Sequence, residues 1–170
     1  MGLFGSETFN SLEDLFKHNL EDIYDAESRL IEALPKMAEK ATAAHLKQAF
    51  ESHREETKVQ KARLEQVFEA FGWEPERETC PAMKGLIKEG EEMINADGDN
   101  DTIDAALIMS AQRVEHYEIA AYGAAVAHAK QLGRDNVAEI LQKTLDEEYA
   151  ADEKLNQIAV SKSNPNAAIA

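Results

Sequence analysis

A single cysteine, four prolines, one tryptophan and six per cent aromatic residues are spread over 170 positions. Each scarcity excludes something. One thiol, Cys80, permits no internal disulfide, so the chain cannot be a disulfide-stapled secreted scaffold and suits a reducing cytoplasm. Few prolines, few aromatics and an abundance of Ala, Glu, Leu and Lys disfavour sheet architectures. Basic residues are also in deficit: 18 Lys and Arg against 33 Asp and Glu leave a formal charge of −15. That balance argues against nucleic acid or an anionic membrane as partner. No apolar run approaches the ~20 residues of a membrane span, and no basic-then-apolar leader is seen. Met1-Gly2-Leu3-Phe4-Gly5-Ser6 matches an N-myristoylation pattern in form, but a mobile N-terminal tail is the simpler expectation.

What remains is a chain long enough for one domain with a real core, written almost entirely in helical period. Ser11 is placed to cap a first long helix, with Asp14 near its positive end. Its stripe runs Leu12, Leu15 and Phe16, Leu20, Ile23, Leu30, Leu34 and Met37, and Pro35 should kink or tighten it. A break at Thr42-Ala43-Ala44 leads to a second helix ending near Phe71, with Gly72 beyond it. From Trp73 to Asp101 lies a longer connection holding a short amphipathic helix over 83–94. Its closing turn, Asp97-Gly98-Asp99-Asn100-Asp101, has the look of a calcium loop but lacks the bidentate Glu, so it reads as a solvated turn and helix cap. A third long helix spans roughly Thr102 to Leu132 and ends at Gly133. A fourth follows Arg134-Asp135-Asn136, and Ser161 to Asn166 reads as a frayed polar tail. The structured core is expected over about 8–160. Four long helices with short first and last turns and one long crossover define an all-α, ferritin-like four-helix bundle.

The apolar stripes are interrupted. Glu27 occupies an inward position of the first helix, and His53, Glu56, Thr57 and Gln60 interrupt the second. Glu115, Glu118 and Tyr122 stack at i, i+3 and i+4 steps on the third, and Glu148 and Asp152 lie on the fourth. With ~1.5 Å of rise per residue, Glu27 and Glu56 sit ~24 and ~20 Å from the first hairpin turn. Glu115 and Glu118 lie ~28 and ~24 Å from the second turn, and Glu148 and Asp152 ~21 and ~27 Å from it. All four helices therefore bring acid to mid-bundle. The hairpins also echo each other, Asp25-Ala26-Glu27-Ser28-Arg29-Leu30 aligning with Arg113-Val114-Glu115-His116-Tyr117-Glu118.

Taken singly, His53 is explained as a hydrogen-bonded core residue, Glu118 as a misjudged face and Tyr122 as core packing. His116 and Glu147 lie beside the stripes. Taken together, five or six carboxylates and one imidazole cannot all ionise in a core, because desolvation and mutual repulsion raise their pKa values. No Lys or Arg lies on these stripes. Two metal ions bridged by carboxylates answer the imbalance best, and oxygen donors with one imidazole suit iron or manganese.

Asp25-Ala26-Glu27, His53-Arg54-Glu55-Glu56-Thr57, Val114-Glu115-His116-Tyr117-Glu118-Ile119-Ala120-Ala121-Tyr122-Gly123 and Thr144-Leu145-Asp146-Glu147-Glu148 with Asp152 resemble the YciE/YciF family. These are bacterial, stress-associated, ferritin-like proteins without an established activity, and the resemblance covers roughly Ser11 to Ala159. It implies a ferritin-like homodimer with a dinuclear metal centre of the rubrerythrin kind. The donor order departs from the Glu-x-x-His pairs of di-iron bundles. The second helix reads His53-x-x-Glu56, and Ala151 stands where a histidine would follow Glu148. At most one histidine is on offer, and no Cys-x-x-Cys pair exists to donate electrons. The metal-ligand set expected is Glu27, His53, Glu56, Glu115, Glu118, Glu148 and Asp152, holding two iron ions, with manganese as the second choice. Iron(II) oxidation or peroxide reduction is the activity expected. The alternative is a non-catalytic structural or interaction dimer whose metal site is empty or vestigial.

Overall fold

A computed structural model describes residues 8–169, so the myristoylation-like hexapeptide lies outside the described residues. The long helices are α1 (Leu12–Lys40), α2 (Ala44–Phe71), α4 (Asn100–Gln131) and α5 (Asp135–Ile158), with the shorter α3 (Pro81–Ile94) inside the crossover. No strand occurs among the described residues. α1 packs along α2 and α4 along α5, while α3 rests on α1 and α4. The fold is the all-α bundle the periodicity requires.

Local chemistry sets the boundaries. Ser11 Oγ accepts from the Asp14 N–H at 3.0 Å, and the Asp14 carboxylate accepts from the Asn10 N–H at 2.9 Å, so both ends of the cap are satisfied. Gly72 and Gly133 stop α2 and α4 with φ of 70° and 69°, the left-handed region that glycine enters without penalty. Asp99 caps α4, accepting from the Asp101 and Thr102 N–H groups, which makes the acidic turn a helix cap. α1 continues through Pro35 to Lys40. Proline leaves the Ile31 carbonyl without its i+4 donor, and Arg54 Nε of α2 supplies one at 3.3 Å.

Two buried aspartates fasten the connections. Asp104 of α4 accepts from Thr42 N–H, Thr42 Oγ1 and Ala43 N–H at 2.8, 2.9 and 2.8 Å, binding the α1–α2 turn to the opposite hairpin. Asp25 of α1 holds the crossover. One of its oxygens accepts from Arg77 at 3.0 and 2.8 Å, and the other from Arg29 at 2.5 Å and the Cys80 N–H at 2.9 Å. Burial alone would push the Asp25 carboxyl up; the arginines and the backbone donor overcome it and hold the group below its usual value.

The C-terminal segment departs from the frayed tail expected. A π-helical turn at Ala159–Ser163 leads into α6 (Asn164–Ala167). Ala159 joins the core, Ser163 is buried, and Asn166 Nδ2 donates to Asp101. The polar composition hid this because only two positions turn inward.

Apolar packing is divided. One cluster, around Leu30, Leu34, Phe50, Met83, Leu107 and Ile108, lies towards the α1–α2 turn. The other, around Phe16, Leu20, Leu64, Phe68, Tyr122 and Leu141, lies towards the α4–α5 turn. Asp104→Ala strands buried backbone donors and should destabilise the protein by about 3 kcal/mol. Urea denaturation measures it; a loss indistinguishable from zero would show that the turn does not need this acceptor.

Candidate metal centre

Between the two apolar clusters the core is polar. Glu27 from α1, His53 from α2, Glu115 and Glu118 from α4 and Glu148 from α5 are all buried there. One donor atom each from His53, Glu115, Glu118 and Glu148 lies within 4.8 Å of the others, the spacing of groups able to share metal ions. Glu27 faces the same charges, its carboxylate interacting with both His53 and Glu115. Tyr122, also fully buried, donates its hydroxyl to Glu27 Oε1.

The other two expected ligands stand apart. Glu56 is one helical turn from His53, with its side chain 56% exposed and Oε2 3.6 Å from His53 Nδ1. Asp152 lies beyond Glu148 by a full turn of α5. It accepts from Gln112 Nε2 at 3.2 Å and lies 3.7 Å from the exposed His116. Level along the axis is therefore not the same as inward: α5 turns Glu148 to the centre and Asp152 to the α4 flank.

Protein groups leave the cluster unsatisfied. Eight side-chain atoms have no hydrogen-bond partner: Glu27 Oε2, His53 Nδ1 and Nε2, Glu115 Oε2, and both oxygens of Glu118 and Glu148. His53 Nε2 is 3.2 Å from Glu115 Oε1, near enough to attract yet off the line of a hydrogen bond. Burial pushes the Glu27 carboxyl up to about 8 against the opposing pull of Tyr122 and His53. Burial, reinforced by the neighbouring glutamates, raises Glu118 and Glu148 well above the usual carboxyl range. Burial works against a charged His53, but Glu115 and Glu56 outweigh it and favour the imidazolium.

Charge arithmetic gives the fit. Four buried carboxylates and one imidazole face one another. Two divalent cations would balance four carboxylates, and the oxygens left without a hydrogen-bond partner carry lone pairs of the kind a cation takes. Hard carboxylate oxygens with one imidazole are a donor set compatible with divalent metal ions such as iron or manganese, and the thiolates of an all-cysteine zinc site or a copper(I) site are lacking.

Sequence reasoning found the acids and missed their neighbours. Arg63 lies beside the α2 stripe, bidentate to Glu147 at 2.5 and 2.8 Å and 3.3 Å from Thr144 Oγ1. Gln60 also reaches Glu147, at 3.3 Å. Thr57 donates to the His53 carbonyl at 2.8 Å. Arg63 falls one turn past Gln60, a spacing that marks it as a flanking cation. It holds Glu147 and leaves the five central groups to one another.

Comparison with known proteins shows the family and agrees with the fold. The model of a domain of unknown function, DUF892, matches residues 11–168. The chain belongs to that family. Protein YciF of Escherichia coli strain K12 is 45% identical over 158 residues, covering 92% of this chain and 95% of that protein. The crystal structure of the E. coli stress protein YciF superposes with a TM-score of 0.89 at 44% identity, over 92% of this chain and 99% of that one. YcfI from Rhodopseudomonas palustris gives 0.88 at 47% identity, with the same coverage. A protein from Xanthomonas campestris pv. campestris, 24% identical over 89% of this chain and 92% of its own, shares the fold with a TM-score of 0.69.

The raised carboxyls carry a sign. Each binds its proton more tightly folded than unfolded, where a glutamate titrates at about 4.3. The contribution of these carboxyls to metal-free stability is therefore fullest below about 4.3 and is lost as pH rises, through about 8 for Glu27. Glu118→Gln removes one such group. The chelator-treated variant should melt above wild type at pH 8, the gap closing as pH falls towards about 4.3. A variant that melts lower at pH 8 would mean that Glu118 is compensated by the protein alone.

Proposed function

We propose that this protein binds two metal ions, iron in the first instance, in the polar layer between the hairpins. Glu27, His53, Glu115, Glu118 and Glu148 would hold them. One observation carries this reading: eight buried polar atoms on five side chains, gathered from four helices, have no partner in the protein. Bound there, iron would supply one-electron chemistry, and carboxylate oxygens favour the harder iron(III), so iron(II) oxidation with oxygen or peroxide as acceptor is the reaction proposed.

The chain's own residues divide the work. Glu118 and Glu148 offer both oxygens, which suits bridging. Glu27 offers one, because Tyr122 occupies the other. His53 is the single nitrogen donor of the cluster. The apolar clusters lie on either side of the layer, and such low-dielectric surroundings strengthen the interactions in it. A single histidine separates the site from centres with one nitrogen per metal. We place the protein in the cytoplasm as a homodimer, a state that sedimentation of the purified protein tests.

Metal analysis of protein purified without chelator should find close to two ions per chain. Adding iron(II) or manganese(II) anaerobically should raise the melting temperature, since a ligand at 100 times its Kd contributes about 2.7 kcal/mol. Glu115→Ala should abolish the shift. Less than one metal per chain, with no accelerated iron(II) oxidation in stopped flow, would leave a structural or interaction protein as the reading.

A further inference from the structure

The cluster is buried, yet one side of it is not closed. A small cavity of about 30 Å3 lies between α2 and α5, and His53 and Glu115 are in its wall. Glu56 and Lys154 line the same cavity, and both are exposed at the surface. Alanines at 49, 111 and 151 make part of the rest, beside the larger Leu34, Phe50 and Leu155. Three wider surface grooves, of about 360, 380 and 410 Å3, are lined by none of the five cluster residues.

Across this cavity the polar atoms form a chain. Glu56 Oε2, open to solvent, lies 3.6 Å from His53 Nδ1, and His53 Nε2 lies 3.2 Å from the buried Glu115 Oε1. Both nitrogens of His53, a buried side chain, lack a hydrogen-bond partner. The imidazole thus has one free donor atom turned towards the rim and one towards the cluster. We propose that this cavity is the route by which divalent cations enter the cluster, with Glu56 receiving them at the rim and His53 handing them to Glu115.

The proposal rests on the metal-binding reading above and adds how the site is filled. Size gives Glu56 its task. The cavity has room for a water or two, so a hexahydrated cation cannot pass intact. Waters shed at the rim must be replaced, and a half-exposed carboxylate beside an unpartnered imidazole replaces them stepwise. Lys154 has the opposite effect. Its ammonium shares the cavity's lining with Glu56 and acts on that carboxylate electrostatically, so it repels an arriving cation and slows entry. A group touched only in transit alters entry and exit equally and leaves the affinity unchanged. A permanent ligand alters the affinity.

Stopped-flow uptake of cobalt(II) by the full-length, chelator-treated protein, read from its visible absorption, and release to excess chelator give both rates. Glu56→Gln should slow uptake and release together, by about tenfold, with stoichiometry and affinity unchanged. Lys154→Gln should speed both, most clearly at low salt. Ala151→Leu, which narrows the mouth at a half-exposed position without changing any charge, should slow both. Unchanged rates in Glu56→Gln and Ala151→Leu would overturn the route. Loss of affinity or stoichiometry in Glu56→Gln would overturn it too, making Glu56 a resident ligand. Wild-type protein that takes up no cobalt(II), manganese(II) or iron(II) would remove the metal-binding reading itself, and the route with it.

Discussion

Four carboxylates buried among helices with one imidazole, reached by too few hydrogen-bond donors to fill their oxygens, are the constraint around which this structure is built. Isolated charges in such surroundings are expensive enough that the groups either neutralise or acquire a counter-charge. Here they interrupt the core, dividing one apolar interior into two packed clusters joined across a polar layer. A helix bundle stabilised only by burial would fill that layer with leucine, since replacing buried ionic groups by apolar ones of like volume is often neutral or stabilising.

The fold shows that it can satisfy a buried acid completely. Asp25 and Asp104 are as inaccessible as the cluster, yet Asp25 takes donors from two arginines and a backbone N–H, and Asp104 takes two backbone donors and a hydroxyl. Both serve connections: one pins the crossover, the other the α1–α2 turn. Glu147, at the edge of the layer, is likewise claimed by Arg63. Against those three, the open lone pairs of Glu118 and Glu148 are a local choice and not a general failure of packing. They are what the proposed metal ions would fill. Tyr122 makes the same point from the donor side, binding one oxygen of Glu27 and leaving the other free.

Much of this was legible in the sequence because helical period is a strong signal and acids on an apolar stripe contradict it. Glu27, His53, Glu115, Glu118 and Glu148 all interrupt stripes that the structure buries. Rise along an axis was weaker guidance, since it fixes height and leaves azimuth open by tens of degrees. Glu56 and Asp152 lie at suitable heights and turn towards the rim and the α4 flank. Two of the partners of Asp25 were not legible, because Arg77 and Cys80 reach it from a connection without period. The helical C-terminal segment was concealed for a similar reason: two inward positions, Ala159 and Ser163, are too few to show a stripe.

The account requires that cations replace protons in the layer, because carboxyls raised by burial are neutral until something positive arrives. Proton release on binding tests that most directly. Manganese(II) added to metal-free protein in weakly buffered solution near neutral pH, followed by a pH indicator, should liberate more than one proton per chain. The yield should shrink as the starting pH passes about 8, where Glu27 is already ionised. Binding without proton release, or no binding at all, would contradict the claim that the unpartnered carboxylates are there to hold metal.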